Sequence, residues 1–228
     1  MAEHWHRRLI EGKSGLMAAL TTVLISVGGL VEIVPMFTIE SVPEAERIDP
    51  YTPLEVAGRD IYTREGCYVC HSQMVRPFRD ETLRYGPWSR SEEYVWDRPF
   101  LLGSRRIGPD LHRIGGKYPD FWHYEHMLEP AKMSPGSIMP RYPWLFEDEL
   151  DLSLTQNKIA AMKAFDAPYT DEEVKGAEAH AKAQAAKIAD ALVKEHKLPD
   201  IRDKKIVALI AYLQRLGTDI KKDKEAAK

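Results

Sequence analysis

The sequence predicts a mainly α-helical protein, with one helix that crosses a membrane near the N-terminus and a helical domain tethered behind it. Three observations carry the prediction. Residues 14–37, SGLMAALTTVLISVGGLVEIVPMF, are predominantly apolar over roughly 24 positions and as a helix would cross about 30 Å of hydrocarbon. Thr52-Pro53-Leu54-Glu55 combines a threonine cap, a proline at the first helical position and a glutamate placed to close a capping box, so a second helix starts there. Near the other end, Ile206, Leu209, Ile210, Leu213 and Leu216 recur at three- and four-residue spacing before Gly217, the pattern of an amphipathic helix with a C-terminal cap.

The chain of 228 residues has room for one modest domain plus appendages, and its net charge of −3 gives no electrostatic argument for nucleic acid as a partner. The apolar run is longer than the core of a cleaved leader and ends in Val34-Pro35-Met36-Phe37 rather than in small residues, which favours an uncleaved anchor. Residues 1–13 carry Arg7, Arg8 and Lys13, while Glu40, Glu44 and Glu46 follow the run. The positive-inside rule therefore places the N-terminus in the cytoplasm and everything after Phe37 outside. Ser14, Ala18, Thr22 and Ser26 recur every four residues and give the anchor one small, weakly polar face, suited to close approach by a partner helix in the membrane. Glu32, an ionisable residue within the span, is expected to face protein or water.

Residues 38–51 hold Pro43 and Pro50 among acidic residues without helical period and are expected to be an extended linker. In the helix that follows, Leu54, Ala57, Gly58, Ile61 and Tyr62 share one side. A mid-helix glycine is less favourable than alanine by up to about 1 kcal/mol, so Gly58 predicts that another helix crosses there at close range, and the terminal stripe supplies the candidate.

The chain has two cysteines, and both fall in Gly66-Cys67-Tyr68-Val69-Cys70-His71. Cys-x-x-Cys-His is the signature of covalent c-type haem attachment: two thiols close enough to bond the two vinyl groups of one porphyrin, and an imidazole carried under its iron. Cys67 and Cys70 are thus the expected thioether anchors and His71 the proximal ligand. Other readings of these residues fare worse. Zinc needs a second ligand cluster and no cysteine is left for one. A redox pair would want a βαβ setting, and a disulfide across so short a loop would constrain little.

Further on come Gly108-Pro109-Asp110-Leu111, Ser137-Ile138-Met139-Pro140 and the terminal amphipathic helix. Together with the haem-attachment run they resemble class I cytochrome c, which implies a mainly α, class I cytochrome c-like haem domain tethered by one N-terminal transmembrane helix. The resemblance implies that the Pro109 carbonyl accepts a hydrogen bond from His71 and fixes its tautomer. It also makes Met139 the second axial ligand of the haem iron, with Met133 as runner-up; Met74 is too near His71 in sequence. His123 and His126 stand at helical spacing, but without a closing carboxylate constellation they are read as surface or core residues, and His112 as a support for the turn.

A narrower resemblance covers residues 5–145: the single span and the stretch GCYVCHSQMVRPFRDETLRYGPWSRSEEYVWDRPFLLGSRRIGPDLHRIGGKYPDFWHYEHMLEPAKMSPGSIMPRYPWL are similar to the mono-haem subunit (subunit II) of cbb3-type cytochrome c oxidases. Both the long insert between Cys70 and Gly108 and the Met139-Pro140-Arg141-Tyr142-Pro143-Trp144 tail recur in that family. The resemblance implies a single covalent haem c and the passing of single electrons to a haem–copper catalytic subunit that holds the oxygen-reducing centre. It further implies a di-haem cytochrome c subunit, a soluble cytochrome c donor and a bacterial inner membrane. It implies a calcium ion near the haem propionates, with Ser104 as a contributor. An anchored cytochrome c subunit of a nitric oxide reductase is the alternative within redox proteins, disfavoured by the insert; a haem-based gas sensor is the alternative outside them, and it would need an open iron position.

Residues 150–199 turn Ala-, Lys- and Glu-rich, with a second capping box at Thr170-Asp171-Glu172-Glu173 and a thin stripe of Val174, Ala177, Ala181, Ile188 and Leu192. One long, mostly solvated helix lying on the haem domain is expected there. The domain boundaries are then 52–150 for the main part of the cytochrome domain, 151–202 for a helical insertion, 203–217 for its terminal helix, and 218–228 for a charged tail.

Overall fold

The computed structural model describes residues 5–38 and 48–220. The acidic positions 40, 44 and 46, most of the linker, and the charged tail from residue 221 lie outside that range. The chain forms two compact units, Met1–Glu44 and Ala45–Lys228, mainly helical and without a strand among the described residues.

In the first unit a π-helical turn at Arg7–Glu11 precedes α1, Ser14–Thr38. Its Ser14–Pro35 portion, 22 residues, is long and apolar enough to cross a membrane. Leu24, Ile25 and Val31 are among its exposed side chains, as a lipid-facing helix requires. On the weakly polar face the Thr22 hydroxyl donates to the Ala18 carbonyl at 2.9 Å, so its polarity is met within the helix.

The second unit is built on two crossing helices. The capping box closes as its residues predict: the Thr52 amide donates to the Glu55 carboxylate at 2.8 Å and the Glu55 amide to the Thr52 hydroxyl at 3.3 Å. That starts α2, Pro53–Arg64, which buries Leu54, Ala57, Gly58, Ile61 and Tyr62. The chain then runs through α3 (Cys67–Cys70), α4 (Arg79–Tyr85), α5 (Asp120–Leu128), α6 (Pro130–Met133) and α7 (Trp144–Glu147). Beyond these lie α8 (Thr155–Ala164), α9 (Asp171–Lys175), α10 (Ala177–His196) and α11 (Lys205–Arg215). α11 packs on α2 more extensively than any other pair of helices. A Cβ at Gly58 would lie 1.9 Å from the Ala208 carbonyl oxygen and 2.7 Å from the Tyr212 Cβ, so only glycine allows this crossing. Gly217 ends α11 at a φ of +64°, and a Cβ there would meet the His112 carbonyl at 1.9 Å. Gln73 joins the pieces: its side chain bonds the Tyr212 hydroxyl at 3.1 Å, and its carbonyl accepts from the Tyr94 hydroxyl at 2.6 Å.

The expectation of one long helix after residue 150 is corrected. The Thr170 box is formed, but it caps only α9; Gly176 separates α9 from α10, and α8 precedes both. α10 buries Ala177, Ala181, Ala185, Ala189 and Leu192 within the same core as α2 and α11, so it is tightly seated on one face. The excursion through α8, α9 and α10 leaves and returns at a single antiparallel bridge, Glu149 to Lys204, where the Leu150 amide donates to the Asp203 carbonyl at 2.7 Å.

Candidate functional site

α2 ends against Gly66, whose φ of +72° is left-handed and turns the chain into α3. One turn of helix puts Cys67 and Cys70 three residues apart on one face, half-buried, with both thiols free. Burial, followed by the nearby Glu65 charge, pushes the Cys67 thiol up to about 12, so it stays protonated. Burial, then the charges of Cys67 and Cys70, raise Tyr142 to about 12.

After α3 the chain extends at His71. Its Nδ1 lies 2.7 Å from the Pro109 carbonyl oxygen. A carbonyl only accepts, so Nδ1 carries the proton and Nε2 keeps its lone pair. The two strands of chain are pinned on both sides of this contact, by the Gly108 amide to the Cys70 carbonyl at 2.9 Å and the Leu111 amide to the Ser72 carbonyl at 2.8 Å. Gly108 gives the ring its room, since a Cβ there would stand 2.2 Å from the imidazole Cε1. Burial lowers the pKa of His71 despite the opposing Pro109 carbonyl and Asp110 charge, which keeps the imidazole neutral and ligand-competent.

Met139 lies half-buried against the core in an irregular loop, while its neighbour Ile138 is 81% exposed. The chain just after it is fastened at two points: the Tyr142 amide donates to the Met127 carbonyl at 3.0 Å, and the Trp144 indole N–H to the Glu65 carboxylate at 2.9 Å. Met133 closes α6, and Met74 is held through its amide by Asp110. Ser104 is exposed in the loop that follows Gly103.

Several contributors carry no local signature in the sequence. Tyr142, Trp144 and Asp110 are recognisable only once distant segments meet. His126 stacks on Trp122 at 4.4 Å, and Trp122 stacks on Tyr118 at 4.1 Å. Burial, and then the charge of His71, lower the pKa of His126. His123 is buried and depressed to about 4 by desolvation. His112 is buried too; it stacks on Tyr94 at 4.7 Å and bonds the Glu93 carboxylate at 3.0 Å. No group of three His, Cys, Asp or Glu residues suited to a bare metal ion occurs among the described residues.

The donor set suits a haem. It comprises two half-buried thiols on one helical turn, an oriented neutral imidazole next to the second, a glycine that leaves that ring its space, and a half-buried thioether in a fastened loop. Comparison with the curated proteins finds no match. The family model described as cytochrome c oxidase, mono-heme subunit/FixO matches residues 6–220, which takes in the α8–α11 region as well as the haem motif. Motif, fold and match agree, and the chain belongs to the FixO family, the mono-haem cytochrome c subunits of cbb3-type cytochrome c oxidases.

Proposed function

We propose that this chain is the membrane-anchored electron relay of its oxidase. Cys67 and Cys70 anchor one haem c as thioethers, His71 and Met139 hold its iron, and the Pro109 carbonyl orients His71. Bound in this way the haem supplies a single-electron centre. With His71 and Met139 holding its iron, the haem would offer oxygen no place to bind, which would leave dioxygen reduction to the haem–copper catalytic subunit. α1 holds the domain at the bacterial inner membrane with the N-terminus in the cytoplasm, an orientation supported by Arg7, Arg8 and Lys13 ahead of the span. The remaining partners are a di-haem cytochrome c subunit and a soluble cytochrome c donor. The Glu149–Lys204 bridge supports reading 151–202 as an insertion between the main part of the cytochrome domain, 52–150, and its terminal helix, 203–217.

A calcium ion at the subunit boundary, with Ser104 as one contributor, is the outermost part of the proposal. Calcium takes six to eight oxygen ligands, and Ser104 offers at most two, so the partner subunit would supply most of the shell.

The single observation that carries the reading is the 2.7 Å contact between His71 Nδ1 and the Pro109 carbonyl, because it leaves Nε2 as the ring's only ligand atom beside the paired thiols. Intact-mass analysis of the mature chain tests the attachment, and carbon monoxide added to the reduced protein tests the ligation. The added mass of one haem and an unchanged spectrum are expected; in Met139→Ala, carbon monoxide should shift the spectrum. A wild-type chain that binds carbon monoxide at once would instead be a gas-binding module.

A further inference from the structure

Near the end of the insert between Cys70 and Gly108 stands Arg106, whose guanidinium joins three separate segments. Its Nε donates to the Ser72 hydroxyl at 2.7 Å and one terminal nitrogen to the Met74 carbonyl at 2.7 Å, both just after His71. The other terminal nitrogen lies 2.6 Å from the Glu81 carboxylate on α4, and the Tyr85 ring of the same helix faces the guanidinium at 5.5 Å. The Ser72 hydroxyl passes the connection on, donating to Asp110 at 2.6 Å. Asp110 is buried next to Pro109; it also accepts from the Met74 amide at 2.8 Å and the His112 amide at 2.9 Å, and stands 3.5 Å from Arg106. One half-buried cation thus lies between two buried carboxylates, sharing Glu81 with Arg76, and both peptide segments that frame the His71–Pro109 contact hang on it.

We propose that Arg106 is a positioning residue for the proximal ligand: it clamps Ser72 and Asp110 so that the Pro109 carbonyl meets His71 Nδ1, and its charge offsets that of Asp110 beside the iron site. The proposal rests on His71 being the axial ligand of haem c. It gives the family insert a task at the haem, with α4 as the brace that holds Arg106 through Glu81. A planar fork is suited to this because three directional bonds leave it in fixed directions, which a lysine ammonium does not reproduce.

The ferric site carries one more positive charge than the ferrous one, so an unbalanced nearby carboxylate favours the ferric state and lowers the reduction potential, while loss of a carboxylate raises it. Clamp and charge can therefore be separated by redox titration of the full-length, haem-loaded chain in detergent. Arg106→Gln should titrate at lower potential than wild type and Asp110→Asn at higher, and Arg106→Lys should return part of the way from the glutamine variant. Glu81→Gln, farther out, should move upward and serves if Asp110→Asn does not accumulate. Shifts of Arg106→Gln and of the carboxylate variant in the same direction, no shift, or no recovery with lysine would overturn the proposal. The ligation reading is checked apart from this: the iron–sulfur charge-transfer band of the wild-type ferric protein reports Met139, and its absence would sink that reading whatever the variants do.

Discussion

Gly108 has no side chain because the His71 ring occupies the space one would need, 2.2 Å from the ideal Cβ position. Gly108→Ala should therefore leave the thioether attachment through Cys67 and Cys70 intact while displacing the imidazole. The optical spectrum of the purified holoprotein should show a high-spin fraction absent from wild type, and the haem mass should be unchanged. At this scale the sequence was unevenly legible. Cys67, Cys70 and His71 lie in one run whose spacing is itself the chemistry, and the family pattern pointed to the Pro109 carbonyl, which does meet His71 at 2.7 Å. Arg106, Tyr142 and His126 were not legible, because each takes its meaning from partners dozens of residues away.

Among the elements, the α2–α11 crossing is the one most exposed to a single atom. Alanine at position 58 would gain up to about 1 kcal/mol of helix propensity. Its methyl, however, would be forced to 1.9 Å from a backbone carbonyl that cannot swing aside, and overpacking of that kind costs typically about 1–3 kcal/mol. Gly58→Ala should be destabilised by roughly 1–2 kcal/mol net, read as a lowered denaturant midpoint with the haem retained. Ala181→Leu should weaken the α10 contact by a similar route, as Ala181 is fully buried in the shared core. Both helices of the crossing could be anticipated, from the Thr52 box and the terminal stripe. The α8–α10 region could not: α8 buries only Thr155 and Ile159, and α10 seats itself by alanines, which hardly stand out against an alanine-rich background.

For the whole molecule, two carboxylates govern acid tolerance. Arg106 and then Arg76 hold Glu81 at about 2, below its ordinary 4.5. Burial works to raise Glu93, but its bonds to Arg113 and His112 outweigh that and leave it at about 2. Folded values below the unfolded ones mean that both groups contribute stability fully above pH 4.5 and lose it as pH falls toward 2. Burial raises Glu55 and Asp97, so their protonation acts in the opposite sense. Stability should accordingly hold as pH drops from neutrality to about 4.5 and then decline steeply, which denaturant titrations at pH 5 and pH 3 would reveal.

Among the described residues the hydrophobic core of the second unit begins at Tyr51, and the Ile48 and Asp49 carbonyls just before it accept from Trp96 and Arg215 of the same unit. A chain shortened to residues 45–228 should thus remain folded and stay in solution without detergent, as ultracentrifugation and circular dichroism can check.

The bridge between Glu149 and Lys204 sets the exit and the return of residues 150–203 side by side. That stretch is a detour off the main road with one leg built into it: its two ends are tied together, while α10 packs its alanines into the core that holds Leu145 and Ile206, both fully buried. Changes of length are thus best borne at the exposed turns of this detour, around Asp166 and Lys197, and least along α10, whose inner face is part of the haem-bearing scaffold.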